Sequence, residues 1–89
     1  MEEARSKIKK YCAYQERSQR EVRNKLRGYN IPEEWVEDIL VELMEEDFLN
    51  EWRFAQLYAK SKLNQNGWGR YKIQSGLHAK GVPESIINY

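Results

Sequence analysis

The sequence predicts an all-α fold built as tandem three-helix repeats, one complete and a second cut short in its third helix. Three observations carry that expectation. Apolar residues recur at spacings of three and four along most of the 89 residues, the period of a helix with one buried face. One third of the chain is charged, with only two prolines and five glycines, a composition that favours helices. Finally, Ile31-Pro32-Glu33 overlays Val82-Pro83-Glu84, and at that shift of about 51 residues everything upstream aligns without gaps.

The elements follow in order. A first helix is expected from about Glu3 to Arg17, with Ala4, Ile8, Tyr11, Cys12 and Gln15 on one face. Cys12 is the single cysteine, so it has no internal disulfide partner and reads as a small core residue. Ser18-Gln19-Arg20-Glu21 is a capping box that opens a second helix, with Val22 and Leu26 facing inward and Gly28 and Asn30 ending it. Ile31-Pro32-Glu33-Glu34 starts a third helix, with proline expected at its first position and two acids against the positive end of the dipole. Its stripe is Trp35, Val36, Ile39, Leu40, Leu43 and Met44.

The run from Glu46 to Ala55 is a helix stop, a turn and a helix start, and it divides the repeats at 1–50 and 51–89. Phe48 and Leu49 are expected to plug the gap between the apolar stripes, and Asn50 to cap a fourth helix reaching about Gln65. Phe54, Ala55, Tyr58, Ala59 and Leu63 form its stripe. Asn66-Gly67-Trp68-Gly69 breaks it, a fifth helix with Ile73 and Leu77 runs from about Arg70 to Lys80, and a sixth begins near Ser85 and runs into Tyr89. The largest burial is expected for Val22, Leu26, Trp35, Ile39, Leu43, Phe48, Phe54 and Tyr58. In the overlay Ala4 falls on Ala55, Ile8 on Ala59, Lys9 on Lys60, Cys12 on Leu63, Ser18 on Gly69, Val22 on Ile73 and Leu26 on Leu77. Such repeats bury their apolar faces against one another. A chain that stops inside its sixth helix reads as a natural short form or, in preference, an excised piece of a longer protein, and its uncovered second repeat is expected to be less protected or to pair with another copy.

Net charge of +1 conceals a block pattern. Residues 1–30 carry nine bases and four acids, 31–51 nine acids and no base, and 52–89 six bases and one acid. The flanking basic segments are expected to form an electropositive surface suited to an anionic partner. No apolar run approaches the roughly 18 residues of a membrane span, no secretory signal is visible, and cysteine usage points to a reducing cytoplasm.

Catalytic chemistry finds little support. One histidine, no cysteine pair and no phosphate-cradling loop leave neither an enzyme nor a cofactor or metal site to expect, so the output is binding. Arg20, Arg23 and Arg27 recur at three and four residues and share one helix face; the alternative is that they are ordinary solvated positions. Trp68 and Tyr71 beside Arg70 and Lys72 interleave aromatics with cations, a pattern suited to single-stranded nucleic acid or a protein groove; alternatively Trp68 folds over the helix junction. Lys60 completes the set of candidate partner-binding residues.

Three stretches resemble the RecX family: Ser18-Gln19-Arg20-Glu21-Val22-Arg23-Asn24-Lys25-Leu26; Asp47-Phe48-Leu49-Asn50-Glu51-Trp52-Arg53-Phe54-Ala55; and Gly67-Trp68-Gly69-Arg70-Tyr71-Lys72-Ile73 through Leu77, Lys80, Gly81 and Val82. Asp47, where the family has a small residue, and Glu51-Trp52 depart from its pattern. The resemblance implies tandem three-helix repeats, commonly three, of which the third lies outside these residues. It implies a regulator of the RecA recombinase that binds the RecA–single-stranded DNA filament and restrains strand exchange and ATP turnover. Two other readings stand beside it: a helical protein acting directly on DNA phosphates, and a structural interaction module that never meets nucleic acid.

Overall fold

Two of the helices begin where a side chain accepts from an early orphan amide. A computed structural model describes residues 2–87 and places six helices in them: α1 (Glu2–Tyr14), α2 (Gln19–Gly28), α3 (Glu33–Glu45), α4 (Glu51–Asn66), α5 (Arg70–Ala79) and α6 (Glu84–Ile87). The expected course of the sixth helix through Asn88 and Tyr89 lies outside the described residues.

At α2 both halves of the capping box form: the Glu21 amide donates to Ser18 Oγ (3.1 Å) and the Ser18 amide donates to Glu21 Oε1 (3.0 Å). At α4 the Arg53 amide donates to Asn50 Oδ1 (3.1 Å). Pro32 is the N-cap of α3 rather than its first helical residue; its ψ of 138° is extended, and its carbonyl accepts from the Trp35 amide at 2.9 Å. The first helix stops at Tyr14, short of Arg17. Arg17 instead turns back, stacking its guanidinium 3.7 Å from the Tyr11 ring centroid and donating to the Tyr11 carbonyl (3.0 Å), while Gln15 is exposed.

Helices α2, α3 and α5 end alike. Asn30, Asp47 and Gly81 take φ of 63°, 63° and 82°, the left-handed region in which a chain can turn sharply out of a helix. Beyond them Ile31, Phe48 and Val82 donate amides back to the carbonyls of Leu26, Leu43 and Leu77 at 3.3, 2.8 and 3.1 Å, each an apolar residue closing on a leucine. The ends of α2 and α5 correspond position for position, and so do the starts of α3 and α6, where the Trp35 and Ile86 amides donate to Pro32 and Pro83. The repeat is thus present in the backbone hydrogen bonds.

Two apolar cores result. The first joins Ile8, Cys12, Val22, Leu26, Val36, Ile39, Leu40, Leu43 and Leu49, with Phe48 packed half-buried at its edge. Burial pushes the Cys12 thiol up to about 11, so it stays protonated and packs as a small hydrophobe. The second core is thinner: Phe54, Ala55, Leu77 and Val82, with Tyr58, Ile73, Ile86 and Ile87 against it. Gly76 brings α5 close to α4 here. A Cβ on it would overlap Tyr58 Oη and lie 2.9 Å from Tyr58 Cζ.

Three core expectations are corrected. Trp35 is 41% exposed and Met44 40%, because the buried line of α3 runs through Val36, Ile39, Leu40 and Leu43, and a neighbouring residue sits about 100° around the helix from it. Leu63 is 59% exposed although its first-repeat counterpart Cys12 is only 6% exposed, since nothing among the described residues lies over it as α3 lies over Cys12.

Candidate partner-binding surface

The acids of the middle block face the bases of the first. Helix α3 carries ion pairs to both of its neighbours. Arg5 and Lys9 of α1 reach Glu42 (3.0 Å) and Glu46 (3.1 Å); Arg23 and Arg27 of α2 reach Glu37 (2.7 Å) and Glu33 (2.6 Å). Hydrogen bonds from the guanidinium of Arg23 to both oxygens of Glu37 hold that carboxyl below its ordinary value, and Arg27 does the same to Glu33. The expectation of an electropositive surface from both flanking segments is therefore corrected for the first: many of its bases neutralise α3.

The three arginines of α2 are not brought together as one open stripe. Arg23 and Arg27 are engaged with α3, and Arg20 points the other way. Its Nη1 donates to the Ala79 carbonyl (2.6 Å), where a cation meets the negative end of the α5 dipole. That bond spans 59 residues and ties the repeats together. Three further contacts reinforce it. Arg53 of α4 reaches Glu16 (3.0 Å) and Asp47 (2.9 Å). Glu51 is buried at the base of α4, and the Gln19 amide donates to its carboxylate. Burial raises the Glu51 pKa, against the pull of that amide and of Arg23.

In the second repeat Lys60, Arg70 and Lys72 are exposed, while Arg53 is taken up by its ion pairs. Trp68 is half-buried, edge-on to Tyr58 with centroids 6.5 Å apart, and flanked by two ammonium groups, Lys62 at 4.9 Å and Lys72 at 4.6 Å from its centroid. Arg70 and Lys72 are exposed beside it, and Tyr71 is 84% exposed. Lys60 is exposed on α4. Trp68 thus folds over the α4–α5 junction, with cations around its ring. Lys62 was missed in the sequence; it lies six residues before Trp68, and only the left-handed Gly67 (φ 66°) brings the indole back alongside it. His78 pairs with Glu84 (3.2 Å), the second-repeat version of Arg27 with Glu33. Among the described residues no group of three or more His, Cys, Asp or Glu could hold a metal ion, and no helix is long and apolar enough to cross a membrane.

Residues 4–43 match the family model for the first three-helix domain of RecX, and residues 50–88 match that for its second. The chain belongs to the RecX family. Similar RecX proteins include the regulatory protein RecX of Clostridium acetobutylicum, 36% identical over 72 residues that make up 81% of this chain and 33% of that protein. The regulatory protein RecX of Oceanobacillus iheyensis is 31% identical over 77 residues, covering 86% of this chain and 28% of its own length. Among solved structures, RecX from Lactobacillus salivarius superposes with a TM-score of 0.89 at 28% identity, over 98% of this chain and 56% of that one. A second crystal structure of regulatory protein RecX gives 0.89 at 31% identity, over 97% and 42%. The chain therefore spans about a third of the curated RecX proteins it matches, and corresponds to their first two three-helix domains.

Proposed function

We propose that this RecX-family chain is a non-enzymatic regulator of the RecA recombinase. It binds the RecA–single-stranded DNA filament in the cytoplasm and restrains its strand exchange and ATP turnover during DNA repair and recombination. Membership of a family of regulatory proteins supports the regulatory part. The observation that carries the binding surface is the set of exposed cations in the second repeat, Arg70 and Lys72 beside Trp68 and Tyr71 with Lys60 further along α4, set against a first repeat in which Arg5, Lys9, Arg23 and Arg27 are paired with acids. A nucleoprotein filament is polyanionic, and cations left unpaired by their own fold attract such a partner from a distance. Arg20, Arg23 and Arg27 act at one remove on this proposal, fixing the repeats and α3 in place.

The test is a retardation series on naked single-stranded DNA, duplex DNA and RecA-coated DNA at matched salt. The triple variant Lys60→Glu, Arg70→Glu, Lys72→Glu should lose binding to RecA-coated DNA with its helical circular dichroism unchanged. Unchanged binding by that variant would remove this surface from consideration. A second reading is favoured by Tyr71 and Trp68, whose rings can stack on bases: direct binding of single-stranded DNA. An equal shift on naked and coated single strands would select it.

A further inference from the structure

The first two helices of the first repeat set aromatic rings and cations in alternation. On α1, Lys7, Tyr11 and Tyr14 follow at four and three residues and share a face. Lys25 of α2 and Tyr29 at its end meet that stripe. Lys25 Nζ lies 5.2 Å from the Tyr11 ring centroid and 5.9 Å from that of Tyr29, and Lys7 Nζ lies 5.8 Å from Tyr29. Arg17, between the two helices, stands 3.7 Å from the Tyr11 centroid and 6.0 Å from that of Tyr14. The third helix of the repeat docks elsewhere: its ion pairs go to Arg5, Lys9, Arg23 and Arg27, other positions on the same two helices.

Acids do little to neutralise these cations. Among the described residues neither Arg17 nor Lys25 has an ion pair with a carboxylate, and Lys7 has only a long one, 3.7 Å to Glu3, with both side chains exposed. The nearby acids Glu16 and Glu21 are taken up by Arg53 and by the Ser18 amide, at 3.0 Å each. Stacking on Tyr11 and the bond from Nε to the Tyr11 carbonyl (3.0 Å) fix the Arg17 guanidinium. Half-buried, it leaves one side turned away from the ring, next to Tyr14, which is 83% exposed. The second repeat makes the same pairing with the roles exchanged: Lys62 stands in the place of Tyr11 and Trp68 in that of Arg17, with the ammonium 4.9 Å from the indole centroid.

We infer that this face of the first repeat is a binding site for single-stranded nucleic acid, separate from the cations of the second repeat. Bases stack on Tyr14 and on the outer side of the Arg17 guanidinium, and phosphates meet Lys25 and Lys7. Stacking selects single strands, because only unpaired bases offer their faces to a side chain, whereas cations alone would take a duplex as well. This site needs no recombinase, so it stands apart from the function proposed above.

The probe is a fluorescein-labelled oligothymidylate of about 16 nucleotides, titrated into the 89-residue chain and followed by anisotropy, with a duplex of the same length beside it. Saturable binding of the single strand is expected. Tyr14→Ala should weaken it by about fivefold or more, leave duplex binding unchanged and, the side chain being exposed, keep the thermal midpoint. Arg17→Lys keeps the charge and loses the planar guanidinium, and should weaken single-strand binding to a similar degree. Both effects should persist in a Lys60→Gln, Arg70→Gln, Lys72→Gln background, which lacks the surface proposed above and so separates its failure from that of this site. Undiminished binding by Tyr14→Ala and Arg17→Lys would overturn the inference in favour of a purely structural role for the face, as would loss of all binding in the second-repeat variant. Equal losses on single strand and duplex would overturn it in favour of a charged patch that takes any polyanion.

Discussion

Gly76→Ala should destabilise this protein, although helix propensity alone says the reverse. Within a helix, alanine is favoured over glycine by about 1 kcal/mol, through the backbone freedom glycine loses on folding. Gly76 lies inside α5, so an unobstructed methyl there would be stabilising. It is obstructed by Tyr58, whose Oη would overlap the new Cβ and whose Cζ would lie 2.9 Å from it. The tyrosine would have to shift within an aromatic cluster in which its ring lies 6.0 Å from Phe54 and 6.5 Å from Trp68, centroid to centroid. Overpacking of this kind costs about 1–3 kcal/mol, which leaves a net loss of roughly 0–2 kcal/mol. The decisive measurement is a double-mutant cycle by urea denaturation. In a Tyr58→Leu background the same Gly76→Ala change should recover its ordinary gain of about 1 kcal/mol, giving a coupling of about 1–3 kcal/mol. A gain from Gly76→Ala in both backgrounds would refute the close packing of α4 on α5.

The remaining predictions concern the first repeat and its junction with the second. Leu43, 1% exposed, anchors the end of α3, and Leu43→Ala should cost about 2–5 kcal/mol in denaturant unfolding; an unmoved midpoint would contradict its placement. The carboxyls of Glu33 and Glu37 are held below their ordinary 4.5 by Arg27 and Arg23. A carboxyl lowered in the folded state stabilises it above the unfolded value, and that contribution disappears as pH falls through the lowered one. The double variant Glu33→Gln, Glu37→Gln should therefore lose less stability than the parent on acidification from about pH 6 to about pH 3. Glu51 has the opposite sign: its raised pKa makes the ionised form a cost at neutral pH, so Glu51→Gln should be at least as stable as the parent there, and its advantage should shrink as the pH is lowered.

Local chemistry was the most legible part of the sequence. Ser18 with Glu21 and Asn50 with Arg53 cap helices through bonds spanning three residues, so the pattern and the contact are nearly the same thing. The repeat was legible for a similar reason, since each Schellman-type end rests on a leucine, a left-handed residue and an apolar residue in fixed order. The misreadings share a different cause. Trp35 and Val36 are adjacent and both apolar, and only the direction of α3 against α2 decides which is buried. Arg20, Arg23 and Arg27 share a helical face in sequence, yet their partners Ala79, Glu37 and Glu33 lie 59, 14 and 6 residues away. The buried Glu51 depends on the Gln19 amide arriving from the other repeat, and no local signal announces it. Side-chain partners set by tertiary packing decide which charges remain open, and so the candidate surface was less legible than the fold.

The join between the repeats has no slack. Leu49 is 2% exposed in the first core, Asn50 caps the next helix, and Glu51 is already buried within it. Arg53 and Arg20 clamp the joint from both sides. These contacts set the two repeats end to end over a length of 41 Å. A partner that engaged both repeats would meet a spacing set by the fold, and less freedom would be lost on binding at two points than with a flexible tether. Inserting glycines between Leu49 and Asn50 would leave both helical units in place and loosen that spacing.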